Sequence, residues 1–347
     1  MRKLSFLLSL SLMLIFPFIL TAQNSDEGTP LLPDCREKEV TIETAQGVLT
    51  GTLTLPLHGE KNFPAMLLIS GSGAQDRDCT IGGYKPFKVL AGALAQKGYA
   101  SLRLDDRGVG GSAAPKGYYG YKESVADAEA ALKWLEACPE INARKTGVLG
   151  HSMGGAIAFS LADEFPDEVR CVVALAAPAV TGKEIMIRQN ELISNAVGKM
   201  LSTEMHEAFE EIFSAVEKGD GSLISEAVTK YGPAAGMSPQ TYQAQIRVLS
   251  SPEYVEMVQR DYSAPLKNVK CPVLALIGEW DVQVDPKANL LSIKLNIPSA
   301  QVSTVATTNH LFQTATDSFS SLNYGAPGAK FSVEALRMIA SFLESNL

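Results

Sequence analysis

A short apolar run, Thr146-Gly147-Val148-Leu149, leads into Gly150-His151-Ser152-Met153-Gly154-Gly155, and Ala156 to Ala162 follows as a helix-like stretch ending before Pro166. Buried strand, glycine-flanked sharp turn and packed helix form the context that a G-x-S-x-G elbow requires. Such a turn holds the serine in a strained backbone conformation and lifts its hydroxyl clear of the sheet. A Cβ at Gly150 or Gly154 would crowd the helix against the strand. The N-terminus of the following helix also favours a developing anion beside the serine. The stretch therefore demands an open α/β sheet around it.

The rest of the chain supplies that sheet. Ala65–Ser70, Ala100–Leu104 and Cys171–Ala176 read as strands buried on both faces. Helical segments alternate with them at Pro86–Lys97 and Ser124–Cys138, the latter with Val125, Ala128, Leu132 and Leu135 on one face. This alternation predicts a mostly parallel sheet with helices on both faces. An antiparallel hairpin, Glu39–Thr44 and Val48–Leu55, precedes it. From about 180 to 262 the alternation stops and helical signals follow one another, which predicts a helical cap insertion, with Ser202, Ser222, Ser238 and Ser251 as N-caps. The sheet resumes at Pro272–Gly278, with a helix over Ala288–Leu295, a last strand over Gln301–Val305 and a closing helix from Val333 to Leu347. Residues 39–347 thus read as one α/β domain.

A serine hydroxyl needs an adjacent base to act as a nucleophile near neutral pH. The chain has four histidines, His58, His151, His206 and His310. His310 follows the last strand, at the edge where open α/β sheets bind ligands, and is the expected general base. His151 sits on the elbow itself, so its side chain is expected to project elsewhere. Asp281, just past the strand ending at Gly278, is the expected partner of His310; Asp285 beside Pro286 reads instead as a helix cap, and Glu279 is too close to the strand end. The oxyanion donors are expected at the backbone N–H of Met153 and of Ser72, with Gly73 second.

A formal charge of −8 and no basic run beyond Arg2-Lys3 argue against a nucleic-acid partner. Met1 to about Ala22 reads as a secretory signal, with a charged start and the apolar run Leu4–Leu20, and 23–38 as a loose tail. The expectation is an exported protein, periplasmic or extracellular, with no stable membrane span after processing; an uncleaved N-terminal anchor is the alternative. The five cysteines form no framework, although export permits a Cys35–Cys79 bridge, and Cys171 and Cys271 read as buried small hydrophobes. No His/Cys cluster has metal-ligand spacing, so neither metal nor cofactor is expected. Gly108-Val109-Gly110-Gly111-Ser112 partly matches a dinucleotide fingerprint, but Asp105 and Asp106 before it would repel a pyrophosphate and Pro115 comes too early for the required helix, so it reads as a structural turn.

Gly-Ser-Gly-Ala-Gln-Asp-Arg-Asp at 71–78, Asp-Asp-Arg-Gly-Val-Gly at 105–110, Gly-His-Ser-Met-Gly-Gly at 150–155 and Asn-His-Leu-Phe-Gln at 309–313 together resemble the α/β-hydrolase superfamily. More narrowly, they resemble a bacterial esterase branch described as serine aminopeptidase-like. The resemblance runs from about Glu39 to the C-terminus. It implies the α/β-hydrolase fold, a Ser-Asp-His triad at Ser152, Asp281 and His310, and carboxylesterase action on short acyl esters of small molecules through a covalent acyl-enzyme. The alternative on the same fold is a peptidase releasing N-terminal residues, which needs an acidic cluster for the substrate amine; Glu204, Glu207, Glu210 and Glu211 are the candidates, although they also read as a solvated helix face. A binding protein on a retired scaffold is the non-catalytic alternative, and retention of all three triad residues counts against it.

Overall fold

The computed structural model describes residues 35–325 and 328–347. The 1–22 signal segment and the tail up to residue 34 lie outside the described residues. Eight strands form one sheet: β1 (Cys35–Ile42), β2 (Leu49–Pro56), β3 (Phe63–Ile69), β4 (Ala100–Leu104), β5 (Ile141–His151), β6 (Val172–Leu175), β7 (Val273–Gly278) and β8 (Gln301–Val305). Their order is β1-β2-β4-β3-β5-β6-β7-β8. The hairpin β1–β2 joins β4 antiparallel, and every pairing from β4 to β8 is parallel.

The continuous apolar strands follow from the helices on both faces. Leu67, Val148, Val172 and Ala275 pack on α2 (Tyr121–Ala137), α3 (Met153–Glu164) and α9 (Pro286–Asn296). Their neighbours Met66, Leu149, Val173 and Leu274 face the other way, onto α1 (Pro86–Gln96) and α10 (Val333–Asn346). Side chains alternate along a strand, so a strand covered on both faces must be apolar at every position.

Between β6 and β7 the chain forms α4 (Gly182–Ala196), α5 (Thr203–Lys218), α6 (Gly221–Tyr231), α7 (Tyr242–Leu249) and α8 (Pro252–Gln259). These helices share an apolar nucleus of their own, centred on Phe209, Ile212, Phe213, Val216, Ile224 and Val228. The chain enters and leaves this unit at one place: Gly182 N–H donates to Arg260 O at 2.7 Å, and Tyr262 N–H to Val180 O at 3.2 Å.

The structure departs from the sequence reading at several ends. β1 begins at Cys35, inside the segment expected to be loose tail. β5 begins at Ile141 rather than Thr146, because the exposed Ala143, Arg144 and Lys145 hide the strand from a hydrophobicity reading. α2 begins at Tyr121, where Glu123 folds back to accept the Gly120 N–H at 2.9 Å. Asp220, not Ser222, caps α6, accepting from Ser222 N–H and Leu223 N–H. Ser238 precedes only a 3₁₀ turn and makes no capping bond, whereas Ser202 and Ser251 cap α5 and α8. No disulfide joins Cys35 to Cys79. Cys171 is fully buried, while Cys271 is half-buried. Among the described residues no helix is long and apolar enough to cross a membrane.

Candidate active site

Ser152 stands between β5 and α3 with φ 55° and ψ −123°. A non-glycine residue so held stores about 1–3 kcal/mol of strain, and it persists only where its surroundings over-determine it. They do so here: Ser152 N–H donates to Leu175 O at 2.8 Å, and Ser152 O accepts from Gly155 N–H at 2.9 Å. A Cβ on Gly150 would collide with the Gly154 carbonyl, and one on Gly154 with the carbonyls of Ile69 and Ser70. Both glycines are required for α3 to start so close to β3 and β5.

Asp281 and His310 follow β7 and β8, and both are buried. One carboxylate oxygen of Asp281, Oδ1, accepts the N–H groups of Gln283 at 2.8 Å and Val284 at 2.9 Å. Oδ2 is thereby aimed at His310 Nδ1, 2.8 Å away. A carboxylate can only accept there, so Nδ1 carries the proton and Nε2 is left with a lone pair. Asn309 pins the His310 loop, its Oδ1 accepting Leu311 N–H and Gln313 N–H at 3.0 Å each.

The sequence reading sent the His151 side chain away from this centre, and the structure corrects that. Its Nε2 lies 2.9 Å from the His310 carbonyl oxygen, and the two rings are 4.8 Å apart at their centroids. Burial, with His310 as a second cause, pulls the His151 pKa down to about 3. The ring is therefore neutral at working pH, with its proton on Nε2. Nothing in sequence spacing signals this contact; β6 and β7 separate β5 from β8 in the sheet, and the loop after β8 reaches back over them to the elbow.

The loop after β3 is tied to the loop after β4. Asp106 accepts Ser70 Oγ–H at 2.7 Å with one oxygen and Gln75 N–H at 2.9 Å with the other, bracketing Gly71-Ser72-Gly73-Ala74. Burial pushes Asp106 up to about 6, against the pull of those two hydrogen bonds. Beside it, Arg77 grips Asp105 at 2.7 Å. Two of the motifs quoted above are thus each other's partners. The glycine-rich segment 108–112 is a compact turn, in which a Cβ on Gly110 would collide with Asp105. Arg107 is buried in a two-pronged pair with Asp127.

Ser152, His310, Met153, Ser72 and Gly73 all line one cavity of about 340 Å³. Its other walls come from the helical unit, including Ile185, Met186 and Tyr262, and from Val282, Val284 and Tyr324. The competing candidates lie elsewhere. His58 is exposed, and His206 bonds Glu191 at 2.5 Å. Asp285 caps α9, and Glu279 accepts Thr307 N–H at 2.8 Å. Glu204, Glu207, Glu210 and Glu211 sit on α5 and none reaches the cavity. Among the described residues no group of three or more His, Cys, Asp or Glu could hold a metal ion.

Known proteins agree with this architecture. Esterase EstD of Thermotoga maritima is 28% identical over 258 residues, 74% of this chain and 55% of its own. An uncharacterised Mycobacterium tuberculosis protein is 31% identical over 129 residues, 37% of this chain and 42% of its own. The chain spans about half the length of the curated relatives it matches. A Pyrococcus furiosus esterase structure superposes with a TM-score of 0.55 at 16% identity, covering 90% of this chain and 91% of that one. A Pyrobaculum calidifontis esterase gives 0.52 at 18%, covering 90% and 86%. At such identities the two structures speak for the fold alone. The family model for serine aminopeptidase, S33, matches residues 82–312, a span holding the elbow, Asp281 and His310, and the chain belongs to that α/β-hydrolase family.

Proposed function

We propose that the protein is an exported serine carboxylesterase. The observation that carries the reading is the opening of Ser152 and His310 into one cavity, with His310 Nδ1 bound to a buried Asp281. His310 Nε2 takes the Ser152 proton as Oγ attacks the ester carbonyl. The N–H groups of Met153 and Ser72 receive the oxyanion. Collapse expels the alcohol, protonated by His310, and leaves an acyl-Ser152 that water hydrolyses with His310 again as base. The likeness to esterase EstD of Thermotoga maritima supports the reaction class.

The family name favours a second reading, an aminopeptidase. That activity needs an anion beside the nucleophile to hold the substrate ammonium. The residues lining the Ser152 cavity include no aspartate or glutamate, and in an adjoining cavity Asp105, Asp106, Asp127 and Glu256 are already engaged by other groups, which favours the ester. Aryl esters assayed beside aminoacyl anilides decide between the two: ester turnover lost in Ser152→Ala is the expected result, and cleavage of anilides alone would overturn it. Export rests on the N-terminal 22 residues, and N-terminal sequencing of the secreted protein tests it by finding a start near Gln23.

A further inference from the structure

A larger cavity, of about 470 Å³, adjoins the first. The Gly71–Ala74 loop, Met153, and Met257 and Tyr262 of the helical unit line both, but neither Ser152 nor His310 lines the larger one. We propose that this second cavity is the acyl chamber, and that the enzyme's substrates are esters of alkyl acyl chains well beyond acetyl. The proposal rests on the esterase reading and deepens it.

Proton transfer sets the direction. His310 must protonate the departing alcohol oxygen, so the alcohol lies in the cavity that His310 lines. With the carbonyl oxygen turned toward Met153 and Ser72, the acyl group projects past the same two residues, and these belong to both cavities. The chamber then receives it.

The chemistry of the walls sets the class of ligand. The floor is apolar: Leu67 of β3, Leu104 of β4, Ala128 and Ala131 of α2, and Ile157 of α3. Most of its charged groups already hold partners. Arg107 is paired with Asp127, which also accepts Tyr119 Oη–H at 2.8 Å. Glu256 accepts from Arg260 at 2.8 Å and from Tyr118 at 2.5 Å, and the Arg260 guanidinium lies 3.9 Å from the Tyr121 ring centre. Asp105 is held by Arg77, and Asp106 by Ser70 and Gln75. A polar acyl group would compete with these pairs, whereas an alkyl chain exchanges water for Leu, Ala and Ile side chains. The volume lies within the range of about 300–1,000 Å³ usual for small-molecule pockets and is far beyond the needs of an acetyl group.

The test is a series of p-nitrophenyl esters from acetate to octanoate, which vary the acyl chain against a constant leaving group. The expected result is a kcat/KM at least tenfold higher for octanoate than for acetate. Ala131→Phe fills the chamber from α2, and Val248→Trp fills it from α7, where the native side chain is only half-buried. Each variant is expected to lower the octanoate-to-acetate ratio at least tenfold, and Val248→Trp carries the test if Ala131→Phe does not fold. A flat or falling chain-length profile with Ser152-dependent acetate turnover would overturn the chamber and leave the esterase reading standing. So would an unchanged ratio in Val248→Trp, or a preference for aminoacyl esters over octanoate. Failure to cleave any ester would overturn the esterase reading itself.

Discussion

His151 Nε2 donates to the carbonyl oxygen of His310 across 2.9 Å, tying the residue before the elbow serine to the backbone of the expected base. A neutral imidazole does this without placing a second positive charge beside His310. His151→Ala is expected to lower kcat about tenfold or more with a smaller change in KM, because the serine and the base lose their common anchor while the rest of the cavity wall remains. Steady-state kinetics on an aryl ester check this.

The same residue shapes stability against pH. Its pKa is about 3 in the fold and near 6.5 when unfolded, so the unfolded chain binds the proton more readily between those values. Stability therefore falls as pH drops from about 6.5 toward 3, by an amount of order a few kcal/mol. Denaturant melts of the parent and of His151→Gln across that window are expected to show a shallower loss in the variant.

Asp281→Asn separates charge from geometry. Asparagine Oδ1 can still accept from Gln283 and Val284, which turns its NH₂ toward His310 Nδ1. Nδ1 must then be an acceptor, Nε2 carries the proton, and His310 cannot take one from Ser152. The expected loss is about ten-thousand-fold in kcat with the fold intact, measured by kinetics beside a thermal melt.

Ser152→Gly and Ser152→Ala should both abolish turnover, yet differ in stability. Alanine inherits the positive φ of 55°, and glycine does not resent it. The glycine variant is expected to be more stable than the alanine variant by about 1 kcal/mol, read from denaturant midpoints.

Asp106→Asn leaves one acceptor oxygen where two are used; with that oxygen on Gln75 N–H, the NH₂ faces Ser70 Oγ, which must turn from donor to acceptor in a weaker, uncharged bond, and the Ser72 loop is held less firmly. A tenfold or larger fall in kcat is expected, the size associated with misplacing an oxyanion donor. The pH dependence carries its signature. Burial, with Asp105 and Asp127 nearby, holds the Asp106 pKa at about 6, so the native state binds the proton more tightly than the unfolded chain and loses stability as pH rises from about 4 through 6. The asparagine variant should lack that loss in a series of melts.

The elbow and Asp281 could be placed from sequence because each follows a strand whose apolar run announces it, and His310 because it follows the last strand, the alternating Gln301–Val305, at the same edge of the sheet. The parallel core was legible for the same reason. What escaped was whatever depends on strand order rather than chain order. The meeting of His151 with His310, and of Asp106 with Ser70 and Gln75, requires knowing which strands are neighbours. The polar start of β5 at Asn142 to Lys145 carries no apolar signal, and the cap of α6 fell to Asp220 because its carboxylate reaches two N–H groups where Ser222 lies already inside the helix.

The helical unit between β6 and β7 has a private nucleus around Phe209 and Phe213, and its two ends meet where Gly182 bonds Arg260. A piece that departs and returns through a single doorway can be exchanged, lengthened or redecorated by evolution while the strands beneath keep their register. The walls that this piece lends to the two cavities can therefore be revised without disturbing the strands that hold the elbow, Asp281 and His310 in place.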